Sequence, residues 1–133
     1  MVEELNSQFD EPYYGGPLDP LILDISDLEL DYGDMTNLIE EAFADYRADV
    51  YKKMVAMIED YLNNNMVEDI LIAILIHQES DEDLDVWIEL SEWPVCLKES
   101  LEYYEDIENY EECIRVKALQ DLFYTKHPKL NND

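Results

Sequence analysis

The sequence predicts a mostly α-helical fold, a compact bundle of about five helices behind an extended amino-terminal arm. Three observations carry that expectation. Between Thr36 and Tyr61, apolar residues return every three or four positions. Helical spacing resumes after Pro94 and continues to Pro128, interrupted only near Asn109. The chain has three glycines in 133 residues, and two of them lie within the first 20. The corresponding division is an extended acidic arm over residues 1–34 and a helical domain over residues 35–133.

Taken in order, residues 1–20 also hold three of the five prolines, as a turn-punctuated arm would. Residues 21–32 alternate apolar and acidic at Leu28, Glu29, Leu30, Asp31 and Tyr32, which fits either a short strand or an extended segment on the core. Ile39, Phe43, Tyr46, Val50, Met54, Met57 and Tyr61 then line one long amphipathic helix. Asp34 or Thr36 would cap it, and Asn63, Asn64 and Asn65 would end it. Residues 66–78, apolar nearly all round, read as a second helix at the centre of the bundle. Ser80 and Asp83 suggest the start of a short acidic helix through Leu90, although the alternation at residues 86–90 leaves a strand open. Pro94 suits the first turn of the next helix, striped by Leu97, Leu101, Tyr104 and Ile107. Asn109 breaks or caps that helix, and residues 110–125 form the last one.

The charge is the anomaly. Thirty-four acidic residues face eight lysines and arginines, for a net charge of −26 and a pI near 4.1. Solubility needs a magnitude of only about 2–8 in a small domain, and the excess opposes compaction. Such a surface repels nucleic acid and anionic membrane and attracts basic proteins, so direct nucleic-acid binding is not expected. The longest apolar run is seven residues, against roughly 20 for a membrane span. With no signal segment at the start, the expected location is the cytoplasm. Cys96 and Cys113 are too few for a disulfide framework and are expected to be reduced.

The acidity is also organised. Residues 1–34 carry ten acids and no base, and residues 66–92 carry nine and none. Residues 93–112 carry seven acids and one base, whereas residues 113–133 carry two acids and four bases. Within residues 98–113, Glu99, Glu102 and Asp106, with Glu112 beyond, step along one side of a helix at intervals of roughly 5–9 Å. Glu105 and Glu108 run beside them. Phosphates along DNA are comparably spaced, and −26 is the formal charge of roughly 13 base pairs. A solvated helix face is the plain alternative, but such faces normally interleave lysine. The expected contact residues are therefore Glu99, Glu102, Glu105, Asp106, Glu108, Glu111 and Glu112, with Asp81, Glu82, Asp83 and Asp85 as a second patch. Tyr103, Tyr104 and Tyr110 would pack inward or supply amphipathic contacts at the rim.

Small size, strong acidity, a helical scaffold and tyrosines mingled with carboxylates resemble phage-encoded DNA-mimic inhibitors, the anti-restriction and anti-CRISPR proteins. The likeness is one of overall character and transfers no residue. It implies an inhibitor of a basic nucleic-acid-binding protein or nuclease complex, acting in the cytoplasm of a host cell. The near-neutral carboxy-terminal stretch departs from the most acidic of those proteins. An immunity protein or antitoxin against a basic nuclease toxin, or a non-catalytic helical adaptor with weak calcium binding, are the competing readings. Homodimerisation through helix surface is compatible with each.

Other chemistry has less footing. Asp81, Asp83, Asp85, Glu89 and Glu92 match ligand positions of an EF-hand loop, but Val86 stands where a glycine must turn. Pro94 would also interrupt the exit helix. Asp24, Asp27, Glu29, Asp31 and Asp34 lack ligand spacing, so no metal or cofactor is expected. His77 reads as structural or as a helix-end cation, and His127 lies in the tail. No nucleophile elbow, phosphate loop or zinc spacing points to an enzyme. Arg47, Lys52 and Lys53 read as partners for neighbouring acids such as Asp49.

Overall fold

In the computed structural model, residues 19–29 and 35–130 are described. Their elements are β1 (Leu21–Asp24), α1 (Met35–Asp45), α2 (Arg47–Asn63), β2 (Ile70–Ile76), β3 (Leu84–Ile88), α3 (Trp93–Asp106) and α4 (Tyr110–Lys126). Short 3-10 turns occupy Leu90–Glu92 and Pro128–Leu130. The fold is thus mixed α/β, four helices with a three-stranded sheet among the described residues, and not a five-helix bundle. The chain divides into two compact units. One takes residues 1–53 and 71–87, the other residues 54–70 and 88–133.

The error in the predicted fold lies mainly in residues 66–78. Ile70–Ile76 is a strand, ILIAILI, with buried positions on both faces. A short unbroken apolar run has no period to separate a buried strand from a buried helix. Its four isoleucines decide the matter, because β-branched side chains lose rotamers on a helix and pack well on a pleated surface. In the first unit, β1 pairs with β2 in parallel, Leu21 opposite Ala73 and Asp24 opposite Ile76. A parallel pair needs a long crossover, which α1 and α2 supply. The sheet order is β1-β2-β3. Residues 77–83 are too few for a second crossover, so β3 returns antiparallel. The short acidic helix expected through Leu90 is accordingly a turn followed by β3, with Asp85 and Trp87 exposed and Ile88 buried.

Tyr46 interrupts the expected long helix, separating α1 from α2. Its hydroxyl donates to the Asp24 carbonyl at 3.3 Å, tethering the junction to the end of β1. The N-cap expected at Asp34 lies outside the described residues, as does most of the arm. Leu21, Leu23, Ile25, Leu38, Ala42, Val50, Ile72, Ala73 and Leu75 form the apolar interior of this unit. His77 closes β2 as a structural residue at a strand end, not a helix-end cation. Its Nδ1 accepts from the Glu79 N–H at 3.0 Å, so Nε2 carries the proton and donates to the Leu28 carbonyl at 2.9 Å. Lys53 is buried, and desolvation lowers its pKa against the opposing pull of Asp19.

The second unit is built on a helical hairpin. Pro94 sits in the first turn of α3, where its missing N–H costs no helix bond. Three residues separate α3 from α4, so the two pack as antiparallel neighbours. Trp93, Cys96, Leu97 and Tyr104 from α3 meet Cys113, Val116, Leu119 and Phe123 from α4, with Met57, Ile58 and Leu62 of α2 completing the interior. The Lys126 ammonium donates to the Leu62 carbonyl and to Asn65 Oδ1, satisfying the carboxy-terminal end of α2.

Candidate functional site

The first acidic patch belongs entirely to this hairpin. Helical period explains its exposure: Trp93, Cys96, Leu97, Ser100 and Tyr104 turn one face of α3 inward, which leaves Glu99, Glu102, Glu105 and Asp106 on the outside. Glu99 and Asp106 are about 10 Å apart along the axis. Lys98 is the one base on α3.

The expected run of carboxylates does not continue to Glu112 on one helix. The chain turns at Ile107, Glu108 and Asn109, and Glu112 stands on α4. Asn109 caps α4, its side chain accepting from the Glu112 N–H at 3.3 Å. Glu112 is also engaged by Arg115 at 3.2 Å, and Arg115 pairs with Glu59 of α2 at 2.6 Å. Hydrogen bonding to Glu59 chiefly raises the Arg115 pKa. Glu112 therefore helps fix α4 to α2, whereas Glu111 remains exposed. Both also lie in the first turn of α4, where negative charge complements the helix dipole.

Glu108 holds the turn at φ 59°, a left-handed conformation that costs a residue with a Cβ roughly 1–2 kcal/mol. Glu108→Gly is accordingly expected to raise the stability of the hairpin by about 0.5–1 kcal/mol, read as a higher urea midpoint at unchanged slope. A lower midpoint would mean that the Glu108 side chain itself supports the turn.

The tyrosines divide. Tyr104 is buried, edge-on to Tyr103 at 5.1 Å, and burial pushes its hydroxyl pKa up to about 12. Tyr110 is 62% exposed. Cys96 and Cys113 are both free and buried, and burial, with Glu99 and Glu92 nearby, pushes the Cys96 thiol up to about 12. Cys96 is a thiol at neutral pH, without thiolate reactivity.

Asp81, Glu82, Asp83 and Asp85 are all exposed, in the turn before β3 and on β3 itself. They fall in the first unit, apart from the residues of the hairpin patch. Ser80 shapes the turn by accepting from the Glu82 N–H at 3.2 Å and donating to the Glu82 carbonyl at 2.9 Å. The apparent calcium loop is not a loop: its middle is the extended strand Leu84–Ile88, which cannot wrap oxygen ligands round one ion. Glu92, its last ligand position, instead accepts from the Glu89 N–H at 2.7 Å. Among the described residues no group of three or more His, Cys, Asp or Glu side chains is placed to hold a metal ion, and no helix is long and apolar enough to cross a membrane. In the amino-terminal acidic group, Asp24 accepts from Ser26, which lowers its pKa.

One feature of the site went unread in the sequence. Ile114 is 70% exposed and lies one turn from Tyr110. The last helix contains two apolar rows, Cys113-Val116-Leu119-Phe123 and Tyr110-Ile114-Ala118. Spacing alone does not say which turns inward, although the bulk and continuity of the first row were the available signal. No family model, curated protein or solved structure matches the chain.

Proposed function

We propose that the protein is an acidic inhibitor that occupies the nucleic-acid-binding channel of a basic partner, a host defence nuclease of the restriction or CRISPR type, and excludes DNA by competition. The observation that carries this reading is the outer face of α3 and its turn, where Glu99, Glu102, Glu105, Asp106 and Glu108 are exposed with Lys98 as the one base on the helix. A chain of net charge −26 would be steered to a cationic channel rapidly, and helix-borne carboxylates need little reordering on arrival. The exposed Tyr110 and Ile114 also suit an immunity protein docked on one dedicated nuclease toxin.

The test is capture of a nuclease or DNA-binding complex by the whole protein, followed by competition with duplex DNA across a salt series. Displacement by DNA and about tenfold or greater weakening between 50 and 200 mM salt are expected for a channel-filling mimic. A captured toxin held equally well with or without DNA would favour the immunity reading. Partners indifferent to both DNA and salt would leave the carboxylates as a solvated coat.

A further inference from the structure

We propose that the outer ridge of α4, Tyr110-Ile114-Ala118, is the apolar half of a docking surface for a basic amphipathic helix of the partner, clamped at its amino-terminal end by carboxylates. The inference rests on the acidic-inhibitor reading and adds the partner's local chemistry to it. Residues four apart on a helix form a ridge that fits the groove between such rows on another helix. Here Tyr110, Ile114 and Ala118 are all exposed, the first two at 62% and 70%, and Ile107 in the adjoining turn is 51% exposed. The inner row of α4 already serves the interior of the unit. Exposing Tyr110 and Ile114 has no counterpart in that packing, whereas a partner helix would bury both.

Charge selects the partner. Asp106, Glu108 and Glu111 surround the start of the ridge, and all are exposed. Farther along, Lys117 and Asp121 carry opposite charges. A second copy of this chain would bring together two chains of net charge −26, which repel each other. A cationic helix with apolar residues at i, i+4 and i+7 would instead match both features, its basic end lying over the start of α4. Carboxylates would govern the rate of encounter, and Tyr110 would be the anchor that slows release.

The experiment titrates the isotope-labelled full chain with two synthetic helical peptides of equal length and positive charge. One carries a leucine stripe between its lysines, and the other has serine in place of each leucine. The leucine peptide is expected to bind at least tenfold more tightly, shifting the amide signals of Ile107, Tyr110, Ile114 and Ala118. Tyr110→Ala with Ile114→Ser, both at exposed positions, should reduce its affinity to that of the serine peptide. Equal affinities, or indifference to that double variant, would overturn the ridge while leaving the acidic reading intact. Charge reversal at Glu99, Glu102 and Asp106 serves the other arm. Unchanged competition with DNA for a captured nuclease would count against the acidic reading and not against the ridge. A dimer of the chain in sedimentation, abolished by the double variant, would assign the ridge to a second copy and overturn the proposed partner.

Discussion

Trp93→Ala is expected to destabilise the protein by about 3–5 kcal/mol, a large part of the stability of a domain this size. Trp93 is fully buried at the start of α3. Its ring stands edge-on to Tyr61 at 5.9 Å and tilts against Phe123 at 6.1 Å, so one side chain joins α2, α3 and α4. Alanine would remove the contacts from all three helices at once, and the surrounding helices could close the gap only partly. Phenylalanine should behave differently. Among the described residues, the indole Nε1 of Trp93 is buried without a protein acceptor, a situation that costs about 1–3 kcal/mol. Removing that donor offsets the lost ring volume, and Trp93→Phe is expected within about 1.5 kcal/mol of the wild type. Urea denaturation followed by far-ultraviolet circular dichroism measures both variants. Native emission supplies a check, since the alanine variant keeps only Trp87, which is 52% exposed. An alanine variant that loses less than about 1 kcal/mol would show that the interior of this unit is not organised round Trp93.

The two units, each taken by itself, show what local sequence can and cannot specify. Pro94, Asn109 and the spacing of Leu97, Leu101 and Tyr104 mark the hairpin because each acts on its own or adjacent turns of backbone. β2 was illegible for the opposite reason. Its partner β1 lies some 50 residues away, and nothing within ILIAILI records a pairing made at that distance. The isoleucine content was the available clue, and the absence of a hydrophobic period concealed it. Site residues follow the same division. Exposure of Glu99, Glu102 and Asp106 follows from helical period, a local property. Engagement of Arg115 with Glu59 depends on where α2 lies beside α4, 56 residues away in the chain, whereas its contact with Glu112 is a local i,i+3 pair on α4. The calcium motif failed through a local property that ligand spacing ignores. Leu84–Ile88 is an extended strand rising about 3.3 Å per residue, so Asp85 near its start and Glu89 just past its end are carried apart and not drawn round one ion.

On the proposed inhibitor reading, reversing Glu99, Glu102, Glu105 and Glu108 to lysine is expected to weaken inhibition of a captured nuclease by a thousandfold or more, equivalent to about 4 kcal/mol. All four side chains are exposed, so the substitutions should leave the interior of the unit untouched. Each reversal replaces attraction to a cationic channel with repulsion, and like charges pressed together at an interface cost several kcal/mol. The loss should appear largely in the association rate and should shrink as salt rises, because screening removes attraction and repulsion alike. Total charge alone would produce part of this effect. A matched variant with Asp81, Glu82, Asp83 and Asp85 reversed to lysine changes the net charge by the same amount in the other unit. If both quadruple variants lose inhibition equally, the partner responds to overall charge or engages both patches. If only the first does, the outer face of α3 and its turn is the docking face. Full inhibition by both would remove the carboxylates from the mechanism, because no channel that binds DNA through its phosphates should accept eight added units of positive charge.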